Sequence, residues 1–175
     1  MILQGPRLVL RPPEASDAAE LAAINGDPEA MRHFAKAMDR AESDAWLARI
    51  MGHHAAHGVG FWSVVRRDAP GLVGVVGLMH VGFAARFTPA VEIGWRTAPA
   101  HQRQGYAEEA ARLALAAGFG PLGLGEIVAW TIPANVPSRR LMEKLGMAPD
   151  GDFDHPRLPE GHPKRRHLLY RIGRP

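Results

Sequence analysis

The chain has 175 residues, 46% of them hydrophobic and 22% charged, and a formal net charge of +3. That length fits one core spanning 1–175 and no second domain, and the balance of apolar and charged residues excludes a disordered chain. The complete lack of cysteine excludes disulfides, thiolate nucleophiles and Cys-ligated zinc.

Basic residues gather near the end (Arg157, Lys164, Arg165, Arg166, Arg171, Arg174), but no aromatic residues are interleaved among them, so nucleic acid is not an expected partner. The longest stretch without Asp, Glu, Lys or Arg, Ala69 to Ala85, is interrupted by Pro70 and several glycines and falls short of the ~20 residues a spanning helix needs. The start shows no signal-like pattern, because Arg7 and Arg11 flank the first apolar run. The expectation is a cytoplasmic protein with no membrane association.

In chain order, Arg7-Leu8-Val9-Leu10-Arg11 reads as a short strand stopped by Pro12-Pro13. Asp17 and Glu20 have capping-box spacing and predict a helix that stops at Asn25-Gly26-Asp27-Pro28. Asp39 and Glu42 repeat the spacing, and Trp46, Leu47, Ile50 and Met51 form an apolar stripe of helical period, so a second helix runs to about His57 and is ended by Gly58 and Gly60. His53 and His57 share a face of this helix. With no third ligand nearby in sequence they read as solvated histidines, and no metal is expected.

Phe61–Val65 and Leu72–Val81 are β-rich and joined by the turn Asp68-Ala69-Pro70-Gly71, which predicts an antiparallel hairpin leading into a third run, Ala90–Ala98. A long helix follows from about Gln104 to Phe119. The Gly-x-Gly-x-x-Gly string at 118–123 imitates a dinucleotide fingerprint, but it follows a helix and contains Pro121, so it reads as a helix stop and a turn. Glu126–Ile132 is the next strand. Asn135 then caps a helix with Pro137 in its first turn and Gly146 at its end. A short run near Met147, a polar loop over Asp150–Pro163 and a last strand at His167–Arg171 complete the chain. The expected fold is α/β (α+β): a mixed, largely antiparallel sheet of about seven strands with about four helices.

The most informative stretch is Gln102-Arg103-Gln104-Gly105-Tyr106-Ala107, where a strand gives way to a helix at a glycine. The first amides of a helix lack carbonyl partners and carry partial positive charge, so such a junction binds anions, and Gly105 lets the main chain approach closely. Arg103 adds a charge-assisted contact.

Together with the Glu-Ile-Gly-Trp strand before it and Asn-x-x-Ser-Arg-Arg-x-Met-Glu-Lys-Leu-Gly over 135–146, this Gln-x-x-Gly-x-Ala loop resembles the GNAT superfamily of acyl-CoA N-acyltransferases. The opening Arg-Leu-Val-Leu-Arg-Pro is similar to the first strand of the RimJ/RimL-like branch. The resemblance spans nearly the whole chain. It implies that the amides around Gln102, Arg103, Gln104, Gly105, Tyr106 and Ala107 bind the pyrophosphate of acetyl-CoA. It also implies that backbone near Trp95 and Thr97 holds the pantetheine and acetyl carbonyl, that Asn135 contacts the pantetheine arm, and that Ser138 protonates the departing thiolate. Where the family commonly carries a tyrosine this chain has Met142, and Met147 stands in place of the Phe of the family's Gly-Phe pair, which leaves Ser138 or an ordered water as the acid.

The implied reaction is direct attack of a primary amine, from a protein N-terminus or a small molecule, on the acetyl-CoA thioester, without a metal. It needs a base, a donor for the developing oxyanion and a proton for the leaving group. Ser138 is either the residue that acts on sulfur or a first-turn serine that caps the backbone. Glu92 is the candidate base, with a structural carboxylate in the sheet as the alternative. His155 and His167 have a suitable intrinsic pKa. The loops Met31–Asp39 and Asp154–Pro163 are the expected acceptor-facing segments. The sequence leaves open a monomer or a homodimer, and a non-catalytic acyl-CoA-binding module in place of an enzyme.

Overall fold

The computed structural model describes all residues from Met1 to Pro175. The strands are β1 (Leu3–Gln4), β2 (Leu8–Arg11), β3 (Phe61–Arg66), β4 (Leu72–His80), β5 (Val91–Thr97), β6 (Glu126–Thr131), β7 (Ala148–Asp154) and β8 (Arg166–Gly173). The helices are α1 (Ala18–Gly26), α2 (Arg40–His57), α3 (Tyr106–Phe119) and α4 (Val136–Lys144). One eight-stranded sheet runs in the order β1-β2-β3-β4-β5-β6-β8-β7. No helix is long and apolar enough to cross a membrane.

Period-two alternation assigns the two faces of the sheet. On one face Val76 and Leu78 of β4 lie opposite Trp95 and Ile93 of β5 and pack beneath Ala110, Ala111 and Ala114 of α3 and Met142 of α4. On the other face Val75 and Met79 pack under Leu21 and Ile24 of α1 and Trp46, Leu47 and Ile50 of α2. Farther along this second face a smaller aromatic cluster forms around Phe87, Val128, Phe153 and Leu169. Alanines on α3 let that helix lie close to the sheet.

Every strand pair is antiparallel except β5 with β6, which run parallel and meet at a single pair, Glu92 with Val128. Beyond that pair the two strands diverge. The edge of Gly94–Thr97 that faces β6 therefore has no strand to pair with, and a wedge opens in the middle of the sheet.

The second capping box forms as expected: Glu42 N–H donates to Asp39 Oδ1 at 2.8 Å and Asp39 N–H to Glu42 Oε2 at 3.0 Å. Asn135 also caps α4, accepting from Ser138 N–H at 3.3 Å. Three expectations need correction. The amino-terminal strand gains a two-residue partner, β1, folded back on β2. The polar run Asp150–Asp154, expected as loop, is the greater part of strand β7, because pairing with β8 at the sheet edge asks for no apolar face and Gly151, in the left-handed region at φ 75°, absorbs a register shift. The Asp17 side chain does not cap α1.

Asp17, itself buried, is instead paired with the half-buried Arg11. Arg11 grips it with two bonds (Nη1 to Oδ2 at 2.9 Å, Nη2 to Oδ1 at 2.6 Å), and Oδ2 also accepts from Ser63 Oγ at 2.7 Å and from Glu14 N–H at 2.9 Å. Glu20 turns to the start of β4, accepting from Leu72 N–H at 2.6 Å. Burial alone would raise the pKa of Asp17, but its bonds from Arg11, Glu14 and Ser63 outweigh that effect and hold it below 3.8. A carboxylate with a depressed native pKa stabilises the fold above its unfolded pKa and loses that contribution as pH falls through the native value. Asp17→Ala is therefore expected to cost roughly 3 kcal/mol at neutral pH by stranding Arg11 and Ser63, read as a lower urea midpoint at unchanged slope, with the gap to the wild type closing in acid.

Candidate active site

The loop between β5 and α3 is braced by its own side chains. Gln102 Nε2 donates to Thr97 O at 3.3 Å and Gln104 Nε2 to Ala100 O at 2.8 Å, so both glutamines hold the loop's carbonyls and not a ligand. Arg103 and Gly105 both adopt the left-handed region, at φ 59° and 79°. This path turns the amides of Arg103 through Glu108 away from every carbonyl of the chain, and none of them donates to a protein acceptor, while Glu109 N–H resumes the helical ladder by bonding to Gly105 O. Consecutive unpaired amides at the start of a 14-residue helix form an anion nest. Tyr106 contributes its amide only, since its ring is in the core. Ala107 is half-buried on the first turn.

Arg7 ties the nest down from outside. Its Nε and its backbone N–H donate to the two oxygens of Glu109 at 2.7 and 2.9 Å, its Nη1 donates to Gln104 O at 3.0 Å, and its guanidinium lies 4.6 Å from the centre of the Tyr106 ring. No local pattern marks this role, because Arg7 and Glu109 are 102 positions apart.

Across the wedge, Trp95 on β5 meets Ser138 on α4. Trp95 Nε1–H donates to Ser138 Oγ at 2.9 Å, and Asn135, besides capping, donates from Nδ2 to Thr131 Oγ1 at 2.8 Å. The Ser138 hydroxyl is thereby an acceptor on one side, and its own proton is directed to no protein atom. Trp95, Ser138, Asn135 and the nest all belong to the α3/α4 side of the sheet.

Glu92 does not join them, because alternation along β5 sends its side chain to the opposite face, beside the single contact between β5 and β6. There it is half-buried and has no hydrogen-bonding partner; burial pushes its pKa from 4.5 up to about 7, against the opposing pull of Arg49 on α2 and Arg157 from the late loop. The nearby histidines are poorer bases. Burial, followed by His167 and Arg157, lowers His155 to about 4, and burial also lowers His167, whose ring centre is 5.2 Å from that of His155.

Both expected acceptor-facing loops reach this face. Residues 31–38 and the facing side of α2 enclose an open cavity of about 530 Å³ lined by Phe34, Trp46 and Arg49 among others, and Lys164 Nζ of the late loop donates to the carbonyls of Arg32 and Phe34. Arg157 Nη2 donates to Gly82 O at 2.9 Å. Arg96, next but three to Glu92, is buried between the rings of Phe34 and Trp46 and donates to Asn25 Oδ1. Asn25, expected only as a helix stop, thus joins α1, β5 and, through Ser43, α2. Nothing in the sequence marked Arg49 or Arg96, and Arg157 stood out only as one of the basic residues near the end.

Residues 7–148 match the acetyltransferase (GNAT) domain family. The chain belongs to the GNAT acetyltransferases. This acetyltransferase is 32% identical over 149 residues to YnaD, an uncharacterised N-acetyltransferase of Bacillus subtilis, covering 84% of the chain and 82% of that relative. It superposes on a GNAT-family acetyltransferase from Bacillus anthracis with a TM-score of 0.82 at 27% identity, covering 99% of each chain. It shares its fold with a ribosomal-protein-S5-alanine acetyltransferase from Vibrio fischeri (TM-score 0.75, 18% identity, 99% of this chain and 97% of that one).

The raised pKa of Glu92 has a thermodynamic signature in this enzyme. Between 4.5 and about 7 the folded protein keeps a proton that the unfolded chain has lost, so stability falls as pH rises across that window and levels off above it. Relative to the wild type, Glu92→Gln should gain stability in thermal melts between about pH 5 and about pH 8. A difference that stays constant with pH would place Glu92 at an ordinary carboxylate pKa.

Proposed function

We propose that residues 1–175 work as one domain that transfers the acetyl group of acetyl-CoA to a primary amine. The observation that carries this reading is the run of unpaired amides from Arg103 to Glu108, next to the unpaired edge of β5 and the free Ser138 proton.

The residues present suit acetyl-CoA. The nest and Arg103 would hold the pyrophosphate, the open edge near Trp95 and Thr97 would hydrogen-bond the pantetheine arm and polarise the acetyl carbonyl, and Asn135 would meet that arm from α4. When bound, the thioester supplies an activated acyl group and a thiolate leaving group. Trp95 holds the Ser138 oxygen so that the hydroxyl proton is free to hydrogen-bond sulfur. A serine is a weak acid, so Ser138 acts mainly by positioning that bond.

Glu92 accepts the amine proton from the other face, through the wedge or a water in it. A base with a pKa of about 7 balances readiness to take a proton against the fraction already ionised at neutral pH. Arg49 and Arg157 flank this carboxylate and disfavour a second positive charge, so the acceptor we favour is an amine that enters uncharged or carries its own carboxylate close by. The motif pair and the opening Arg-Leu-Val-Leu-Arg-Pro support a RimJ/RimL-like acceptor such as a protein N-terminus. A partner-free Ser138 proton and a near-neutral Glu92 favour this reading over a silent acyl-CoA-binding module.

Calorimetry with acetyl-CoA and with S-acetylpantetheine, which lacks the pyrophosphate, tests the nest, and equal affinity for the two would remove it from donor binding. Gly105→Glu is expected to abolish acetyl-CoA binding, since it puts a side chain at φ 79° and a negative charge among the amides. Thiol release with a panel of amines and peptide N-termini reads the chemistry. Ser138→Ala should lower kcat at least ~10-fold with little change in donor affinity, and Glu92→Gln should lower it roughly 10²-fold near neutral pH and flatten the rise of rate through about pH 7. Full turnover in either variant would strip that residue of its role.

A further inference from the structure

The carboxyl end of α2 and the end of β4 bring together three imidazoles that acetyl transfer does not use. His53 and His57 stand a helical turn apart, as read from the chain, and the fold supplies from His80 the third ligand that the linear sequence does not place near them. The ring centre of His57 is 4.4 Å from that of His53 and 4.7 Å from that of His80. One ring nitrogen from each residue lies within 4.8 Å of the other two.

The orientation of His53 is what a ligand requires. Its Nδ1 lies 2.7 Å from the Val59 carbonyl, which can only accept, so the proton is on Nδ1 and the lone pair is on Nε2. That Nε2 accepts from the His80 backbone N–H at 3.3 Å, a single long bond that an ion would replace, and it lies 3.4 Å from His80 Nδ1. Tetrahedral zinc with bonds of about 2.0–2.1 Å holds neighbouring ligand nitrogens about 3.4 Å apart, so this pair already has the right spacing. His57 and His80 are both exposed, so packing does not lock their rings. No carboxylate hydrogen-bonds any of the three rings. Three imidazoles with no oxygen donor among them suit zinc, copper or nickel and do not suit magnesium or calcium.

We propose that His53, His57 and His80 bind one divalent ion of the zinc class, with a fourth position open to water, and that the ion fastens the end of α2 to the end of β4. The site is separate from the anion nest and from Ser138. Because α2 carries Trp46 and Arg49 in the wall of the acceptor cavity, the ion braces that wall from below.

The test uses the full chain without an affinity tag, stripped with EDTA and titrated calorimetrically with zinc chloride. The expected result is one equivalent bound at roughly micromolar affinity or tighter, a rise in melting temperature with zinc, and no competition from magnesium. His80→Ala and, separately, His57→Gln should each weaken binding at least ~10-fold while melting like the wild type in EDTA, and His162→Ala, which lies elsewhere, should bind as the wild type does. Zinc affinity unchanged in both His80→Ala and His57→Gln, or no uptake by the wild type at about 100 μM zinc, would overturn the assignment.

Discussion

The structure depends on how little β5 and β6 share. One parallel pair, Glu92 with Val128, keeps the two halves of the sheet together, and past it the strands part. A fully paired sheet would satisfy every main-chain group and leave no room at its centre. Here the main-chain groups of β5 that face the wedge are withheld from the sheet, which makes them available as donors and acceptors for a ligand. In the proposed reaction the wedge would link the two faces, so that groups that alternation sends to opposite sides of one strand would serve a single step.

That division separates two electrostatic environments. On the α3/α4 side the unpaired amides and the helix dipole form a site for negative charge without burying a cation, and Arg7 holds the helix start from a half-exposed position where its pairing with Glu109 costs little desolvation. On the α1/α2 side a carboxylate sits without a partner among arginines, aromatic rings and half-buried histidines. Burial dominates there, raising Glu92 while lowering His155 and His167, because it disfavours the charged form of each, the carboxylate in one case and the imidazolium in the others.

Polar residues deep in the fold act as joints between elements. Asp17 ties β2, β3 and the turn before α1 through Arg11, Ser63 and Glu14, and Asn25 ties α1, α2 and β5 through Ser43 and Arg96. These joints position α1 and α2 over the sheet and so shape the cavity between α2 and residues 31–38. Each is satisfied by bonds to several elements at once, which is what makes it a constraint on geometry as well as a contribution to stability.

Local chemistry in the chain was enough to determine most of the order of elements, the cap of α2, the cap that Asn135 provides for α4 and the glycine-centred loop at 102–107, because capping, alternation and the backbone freedom of Gly105 act over a few residues. It also carried the family resemblance, since the loop and the Asn135–Ser138 segment are each contiguous. Tertiary structure alone decided the rest. Asp17 has the spacing of a cap, but a half-buried arginine competes for it and wins; a polar segment becomes β7 because an edge next to β8 accepts it; Arg7 reaches Glu109, and His80 reaches His53, only once distant strands and helices are packed. Which groups face Glu92, and hence its pKa, depends on burial by loops far away in sequence. Period and composition cannot encode that, because desolvation is a property of what surrounds a residue and not of the residues beside it in the chain.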